Sequence, residues 1–282
     1  MTTPHWKSPG GEPLTWRLTD LGDAPLTLDS RWPRPELPPQ PLATATGTGA
    51  GVRVCVVDSG VVPDHPQVGR LDGSFAVRTG PDGQQVVEPD EIGDTCGHGT
   101  ACAGIIRSLA PDCELVSLRV LGSGLSGTGE ALLAGLRWAV EQRFDVINMS
   151  LSTTKRDFVL RLHQLADSAY FAGSLLVASA HNLRVESFPW RFSSVISVGS
   201  HDLPDPLHLL YNPVPPVEFF ARGVEVPVAW LEGGTRRCTG NSFATPHVAG
   251  LCARILGNHP GLTPFQVKSL LHLTSANVRR AP

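Results

Sequence analysis

Short, continuous apolar runs alternate along this chain with longer stretches whose apolar residues recur every three or four positions. The continuous runs are typical of strands buried on both faces, and the wider spacing is typical of helices packed on a sheet. The runs predict strands at residues 52–58, 114–121, 145–151, 174–180 and 194–199. The spaced pattern predicts helices at residues 98–108, 129–142, 157–173, 242–257 and 264–273. Because strand and helix alternate, we expect an α/β fold, a doubly wound and mainly parallel sheet with helices on both faces.

Three polar strings stand where a predicted strand ends or a predicted helix begins. VVDSG places Asp58 at the carboxyl end of the first strand, where functional groups gather in open α/β sheets. GHGTACAG places His98 at a helix start, from which an imidazole can reach into a cleft as a general base. GNSFATPHVAG places Ser242 after the turn at Gly240, where we expect an N-cap residue. Asp58 or His98 alone is more often structural, and Ser242 alone is equally compatible with an ordinary N-cap, but three such residues at these positions indicate an active site.

Together the strings resemble the active-site motifs of the subtilisin-like serine proteases, with Asp58, His98 and Ser242 in that family's chain order. The resemblance covers residues 47–276, and H-G-T-x-C-A-G is similar to the proteinase K-like members. It implies a catalytic triad in which Ser242 is the nucleophile, His98 the general base and Asp58 the carboxylate that orients the imidazole. The string ASAHN aligns with the family's A-A-G-N and implies that Asn182 is an oxyanion-hole donor; the alternative is a loop-capping residue after a strand.

The resemblance also implies where a peptide substrate binds. The string LGSGLSGTG, residues 121–129, resembles the edge segment on which the family pairs an extended substrate. Ser126 and Gly127 would supply the backbone hydrogen bonds, and the alternative is a Gly/Ser loop that enters a helix. The string SLS corresponds to a wall of the family's S1 pocket and comprises Ser150, Leu151 and Ser152. The serine at the third position replaces the family's usual glycine.

Two other functions stay open beside serine endopeptidase activity. A catalytically silent peptide-binding pseudoprotease would keep the cleft without turnover, and His181 and Asn241 depart from the family's usual glycine and threonine beside the site. A dedicated precursor-peptide processing protease or transpeptidase would use the same scaffold. Transpeptidases of this type carry a capping insertion near the active site, and no insertion of that size surrounds His98 or Ser242.

Composition narrows the choice of partners and cofactors. The chain is 41% hydrophobic and 17% charged, which suits a globular domain, and its net charge of −3 without a basic cluster argues against nucleic acid. No apolar run is long enough to cross a bilayer, so we expect no membrane partner. The six cysteines form no C-x-x-C motif, and without a secretion signal we expect free thiols. We therefore expect no metal and no cofactor, a peptide or protein as substrate, and an oligomeric state that the sequence does not determine.

The first part of the chain differs in character from the rest. We expect residues 1–46 to be a Pro-rich N-terminal extension and residues 47–282 to be the peptidase domain. The string PRPELPPQP, residues 33–41, is predicted to be extended. The first residues show no charged region followed by an apolar region, so we expect no secretory signal and a cytoplasmic location. A short extension in place of a folded prodomain resembles the intracellular branch of the family.

Overall fold

The computed structural model describes residues 46–278, so the predicted extension at 1–46, with its Pro-rich string at 33–41, lies outside the described residues except for its last position. The strands of the main sheet are β1 (Arg53–Asp58), β2 (Gly73–Thr79), β3 (Gln85–Pro89), β4 (Glu114–Arg119), β5 (Val146–Met149), β6 (Leu175–Ser179), β7 (Ile196–His201), β8 (Leu210–Tyr211) and β9 (Phe219–Arg222). They form one sheet in the order β3-β2-β4-β1-β5-β6-β7-β9-β8. A separate hairpin pairs β10 (Val226–Ala229) with β11 (Thr235–Cys238).

The interior of the main sheet is parallel, and only its two outermost pairings, β2–β3 and β8–β9, are antiparallel. The helices are α1 (His98–Leu109), α2 (Gly129–Glu141), α3 (Val159–Phe171), α4 (Asn241–Asn258) and α5 (Pro264–Thr274). Successive residues of a strand face opposite sides of a sheet. On β1, Val54 and Val56 pack with α1, α4 and α5, whereas Cys55 and Val57 pack with α2 and α3. The predicted doubly wound α/β fold is therefore confirmed.

The predicted start of α4 is wrong: the helix begins one residue earlier than residue 242, and its N-cap lies two residues before Ser242. Helical hydrogen bonding begins earlier than expected, because Phe243 N donates to Gly240 O at 3.0 Å. Gly240 is thus the N-cap, and Ser242 is the second residue inside the helix. Ser242 still lies in the first turn of α4, at the positive end of the helix dipole. Among the described residues, none of the helices combines the length and the apolar character that a membrane span needs.

Candidate active site

Asp58 and His98 form a buried hydrogen-bonded pair at the carboxyl edge of the sheet. β1 ends at Asp58 and α1 begins at His98. The Nδ1 atom of His98 lies 2.7 Å from Oδ1 of Asp58, which is fully buried and also accepts a bond from Ser59 N at 2.8 Å. A carboxylate partner fixes the proton on Nδ1. The second ring nitrogen, Nε2, is then the atom of His98 that can accept a proton.

The surroundings of His98 raise its pKa above the usual value. Burial by itself works in the opposite direction, since it disfavours the charged imidazolium. The charge and hydrogen bond of Asp58 outweigh burial, and the charge of Asp94 adds to them. The pair is therefore arranged to stabilise a proton that arrives at the imidazole during a reaction.

Ser242 is held by hydrogen bonds to its backbone carbonyl group. Its oxygen accepts a hydrogen bond from Ser150 Oγ at 2.8 Å and a weaker one from Cys102 Sγ at 3.6 Å. The ring of the next residue, Phe243, lies 5.3 Å from the ring of His98. These contacts bring the start of α4 beside the start of α1. No hydrogen bond joins the Ser242 hydroxyl to the imidazole among the described residues; such contacts are often long before a substrate binds.

Asn182 lies beside the start of α4 with its amide orientation fixed. Its Oδ1 atom accepts a bond from Asn241 N at 2.9 Å, so its Nδ2 group remains the donor. A Cβ atom on Gly240 would lie 3.4 Å from Ser242 Oγ and 3.5 Å from Asn182 Nδ2. The hydroxyl and the amide therefore border the same small space, which the missing side chain of Gly240 leaves open. Asn241 Nδ2 donates to His181 O at 3.3 Å, so the unusual asparagine ties α4 to the Asn182 loop.

The predicted edge segment is exposed and irregular. Ser126 and Gly127 belong to no strand, and both are exposed. The carbonyl of Ser126 already accepts a hydrogen bond from Gly122 N at 2.9 Å, which closes a turn between these two residues within the segment. Thr128 follows as the N-cap of α2. The backbone groups of Gly127 make no hydrogen bond in the described part of the chain, which leaves them available to an extended peptide.

The predicted pocket wall has two distinct parts. The side chain of Ser150 is buried, and its hydroxyl is committed to the Ser242 carbonyl. Leu151 and Ser152 are half-buried and present side-chain surface. Just beyond them, Thr153 and Phe188 exchange two backbone hydrogen bonds of 2.9 Å each. This bridge ties the wall to the segment that begins with the cis Phe188–Pro189 peptide.

One group of described side chains has the composition of a metal-binding set. It consists of Asp58, His98 and Cys102, whose ligating atoms lie within 4.8 Å of one another. Asp58 and His98 are already bonded at 2.7 Å, and a metal ion between them would have to break that bond. Burial raises the pKa of the Cys102 thiol well above its usual value, which opposes formation of a thiolate ligand. The group suits proton transfer better than metal binding.

Comparison with known proteins decides the family. The family model described as the subtilase family matches residues 49–281. The chain belongs to the subtilase family. Subtilisin DY of Bacillus licheniformis is 32% identical over 245 residues, which cover 82% of this chain and 85% of that protein. A solved structure described as a cold adapted subtilisin-like serine proteinase is similar with a TM-score of 0.67 at 30% identity, and the similarity covers 83% of this chain and 87% of that one. This subtilase is a serine endopeptidase that acts on peptides or proteins.

The predicted cytoplasmic location of this subtilase is wrong. The minor extracellular protease Epr of Bacillus subtilis (strain 168) is 30% identical over 233 residues, which cover 78% of this chain and 34% of that protein. The name of that relative places it outside the cell. This comparison overturns the location inferred from the pattern of the first residues.

One buried residue of the subtilase's site escaped the sequence analysis. Asp94 is nearly buried and lies in the loop that leads into α1, four residues before His98. Its signal is weak in the sequence, because an acidic residue ahead of a helix start is a common capping feature. Its hydrogen bonds to both sides of His98 and to Ser59 distinguish it from an ordinary cap.

Proposed function

We propose that this subtilase hydrolyses peptide bonds with Ser242 as the nucleophile, His98 as the general base and Asp58 as the orienting carboxylate. The observation that carries the proposal is the 2.7 Å contact between His98 Nδ1 and the buried Asp58 Oδ1. It leaves Nε2 as the proton acceptor of the imidazole. The position of Ser242 inside the first turn of α4 supports the same assignment, because a helix N-terminus stabilises developing negative charge.

The proposed reaction follows from these positions. Ser242 Oγ attacks the carbonyl carbon of the scissile bond while its proton passes to His98 Nε2. Asp58 stays ionised and stabilises the imidazolium. When the tetrahedral intermediate collapses, the C–N bond breaks and His98 gives its proton to the leaving amine. Water then hydrolyses the acyl-enzyme by the same steps, with His98 as the base.

We assign the oxyanion hole to Asn182 Nδ2 and the backbone N–H of Ser242. The support is the fixed amide of Asn182, whose Oδ1 is occupied by Asn241 N, and the small space that it shares with Ser242 beside Gly240. Donors held in place before the reaction lose little free energy in reorganisation. We place the substrate backbone along Ser126 and Gly127, because the exposed backbone groups of Gly127 suit β-augmentation.

Leu151 and Ser152 then form the side-chain wall of the S1 pocket, and Ser150 holds the nucleophile's backbone behind it. No observation favours a silent peptide-binding module, a dedicated precursor-processing role or transpeptidation. Endopeptidase activity with this triad is therefore the function that we propose.

The test is active-site labelling with a fluorophosphonate probe together with peptide hydrolysis. Ser242→Ala should abolish labelling and lower hydrolysis by about four to six orders of magnitude, while circular dichroism shows an intact fold. Ser168→Ala is the matched control, since Ser168 is an exposed serine that bonds only within α3. Full labelling of the Ser242 variant would reject the triad.

The pH dependence provides a second check. The proposed base must be neutral to accept a proton, and the pKa of His98 is raised by Asp58 and Asp94 against the effect of burial. Activity should therefore be low at acid pH and rise through a midpoint above about 6.5, the ordinary histidine value. A midpoint below that value contradicts the proposed environment of His98.

A further inference from the structure

Asp94 is the most heavily hydrogen-bonded carboxylate near the proposed triad. Its Oδ1 atom accepts bonds from Ser59 Oγ at 3.0 Å, Cys96 N at 3.0 Å and Gly97 N at 2.9 Å. Its Oδ2 atom accepts bonds from Thr100 N at 2.9 Å and Thr100 Oγ1 at 2.7 Å. A nearly buried carboxylate needs such partners, because burial without them is costly.

Two of these bonds replace the missing cap of α1. Gly97 is the N-cap and has no side chain with which to accept a bond from the first turn. The first N–H groups of a helix otherwise lack partners. Asp94 accepts hydrogen bonds from the N–H groups of Gly97 and Thr100, which lie on either side of His98 in the chain. The backbone that carries the imidazole is therefore held from both sides, and the negative charge is favourable at this end of the helix.

The remaining bonds connect Asp94 to the end of β1. The hydroxyl of Ser59 donates to Asp94 and accepts a bond from Gly99 N at 2.9 Å. The N–H of Ser59 donates to Asp58 Oδ1 at 2.8 Å. A continuous set of hydrogen bonds thus runs from Asp58 through Ser59 to Asp94 and on to α1. This network fixes the separation of two elements that lie 40 residues apart in the chain.

We infer that Asp94 is a positioning residue that holds the imidazole of His98 in register with Asp58. The inference rests on the proposed role of His98 as the base, and it adds a residue that the triad assignment does not contain. Asp94 acts through the backbone on both sides of His98. If the acceptor atoms of Asp94 were lost, the start of α1 could shift. A displacement of about 1 Å in a catalytic site can lower the rate about 10²-fold.

The charge of Asp94 gives the inference a distinctive signature. The groups near His98 are Asp58 from β1, Asp94 from the preceding loop, the thiols of Cys96 and Cys102, and the apolar ring of Phe243 from α4. Burial raises the pKa of both thiols, so they stay neutral near pH 7.

On β4, the hydrogen bond with Asp90 raises the pKa of the Arg119 guanidinium, and the charge of Asp94 makes a smaller contribution in the same direction. Arg119 is itself paired with Asp90, at 2.7 Å. Since the charge of Asp94 contributes to the raised pKa of His98, a neutral amide at this position should lower that pKa.

The experiment compares Asp94→Asn with Asp90→Asn in the full chain. Asp90 is also a carboxylate on the approach to α1, but its hydrogen bonds go to Arg119 and to its own loop. Asp94→Asn should lower kcat about 10- to 100-fold with KM nearly unchanged, and it should move the acid limb of kcat/KM to lower pH. Asp90→Asn should lower the melting temperature without moving that limb.

Labelling by the fluorophosphonate probe separates the possible failures. If Ser242→Ala is still labelled, the proposed function fails. If Ser242→Ala is unlabelled but Asp94→Asn keeps the wild-type kcat and pH midpoint, only the inference about Asp94 fails. A fall in kcat with no shift of the midpoint likewise overturns it, since loss of the fold alone would give that result.

A second variant applies if Asp94→Asn does not fold. Ser59→Ala removes the bridge between Asp94 and Gly99 while the charge of Asp94 remains. It should lower kcat about tenfold, the effect of losing about 1.4 kcal/mol, while the pH midpoint, the circular dichroism spectrum and the fraction of enzyme labelled by the probe stay at their wild-type values, which loss of the fold would not allow. An unchanged kcat in this variant overturns the inference.

Discussion

The hydrogen bond from Ser150 Oγ to the carbonyl of Ser242 can be removed with one substitution, Ser150→Ala. The carbonyl would then keep only the Cys102 Sγ donor at 3.6 Å, and thiols are weak donors. The amide of Asn148, which donates to Ser150 Oγ at 3.2 Å, would lose its acceptor. Asn148 Oδ1 already lacks a hydrogen-bond partner, so the substitution would leave that buried side chain without any.

The expected loss follows from these contacts. Leaving buried polar groups unpaired costs about 1–3 kcal/mol of the free energy of unfolding. For a domain of this size each kcal/mol lowers Tm by about 2–4 °C, so Tm should fall by about 2–12 °C. The lost bond also held the backbone of Ser242, the proposed nucleophile, so kcat should fall about 10- to 100-fold through misplacement of its Oγ atom.

Ser197→Ala separates the two effects. Ser197 is buried, donates to Pro216 O at 3.1 Å and accepts from Glu218 N at 2.9 Å, yet its strand β7 carries no proposed catalytic residue. Calorimetry should show that both variants lose stability, and steady-state kinetics should show that only Ser150→Ala loses kcat. Equal kcat values in two comparably destabilised variants would refute the positioning role of Ser150.

Three further results are expected. Asn182→Ala should lower kcat about 10²- to 10³-fold in steady-state assays, as loss of an oxyanion donor does in subtilisin, and a smaller loss would place the donor elsewhere. Gly129→Ala should lower the free energy of unfolding, measured in urea, by about 1–3 kcal/mol, because the new Cβ would lie within 2.5 Å of the Phe158 ring. Adding Phe158→Ala to the same chain should restore most of that free energy. A mercurial should inactivate the enzyme. Iodoacetamide should act slowly, because burial raises the pKa of the Cys102 thiol. Inactivation by the mercurial that persists after Cys96 and Cys102 are both replaced by Ala would show that another thiol is responsible.

The sequence was informative where one physical requirement dominated. β1 and β6 are buried on both faces, so they stand out as continuous apolar runs with polar residues at their ends. Asp58 lies at one of these ends and was predictable for that reason. The start of α1 was equally clear, because a helical pattern follows directly after the Gly97–Gly99 turn signals.

The two peripheral hairpins were not predictable in the same way. The hairpin of β2 and β3 and the hairpin of β10 and β11 are largely exposed on one side, and their short strands contain charged residues such as Arg236 and Arg237. Patterns of this kind are similar to those of loops. The network of Asp94 was also hidden, because three of its five hydrogen bonds come from backbone N–H groups, which carry no sequence signature.

The contacts of the Ser242 carbonyl have a consequence for biosynthesis. They join residues separated by 140 positions for Cys102 and by 92 for Ser150, so the proposed nucleophile is held by parts of the chain made long before it. At a synthesis rate of about 5–20 residues per second, Asp58 and His98 leave the ribosome about 7–37 s before Ser242. Throughout that interval the nascent enzyme has the proposed base without the proposed nucleophile, and with this triad it cannot cleave itself or its neighbours until nearly the whole domain has been made.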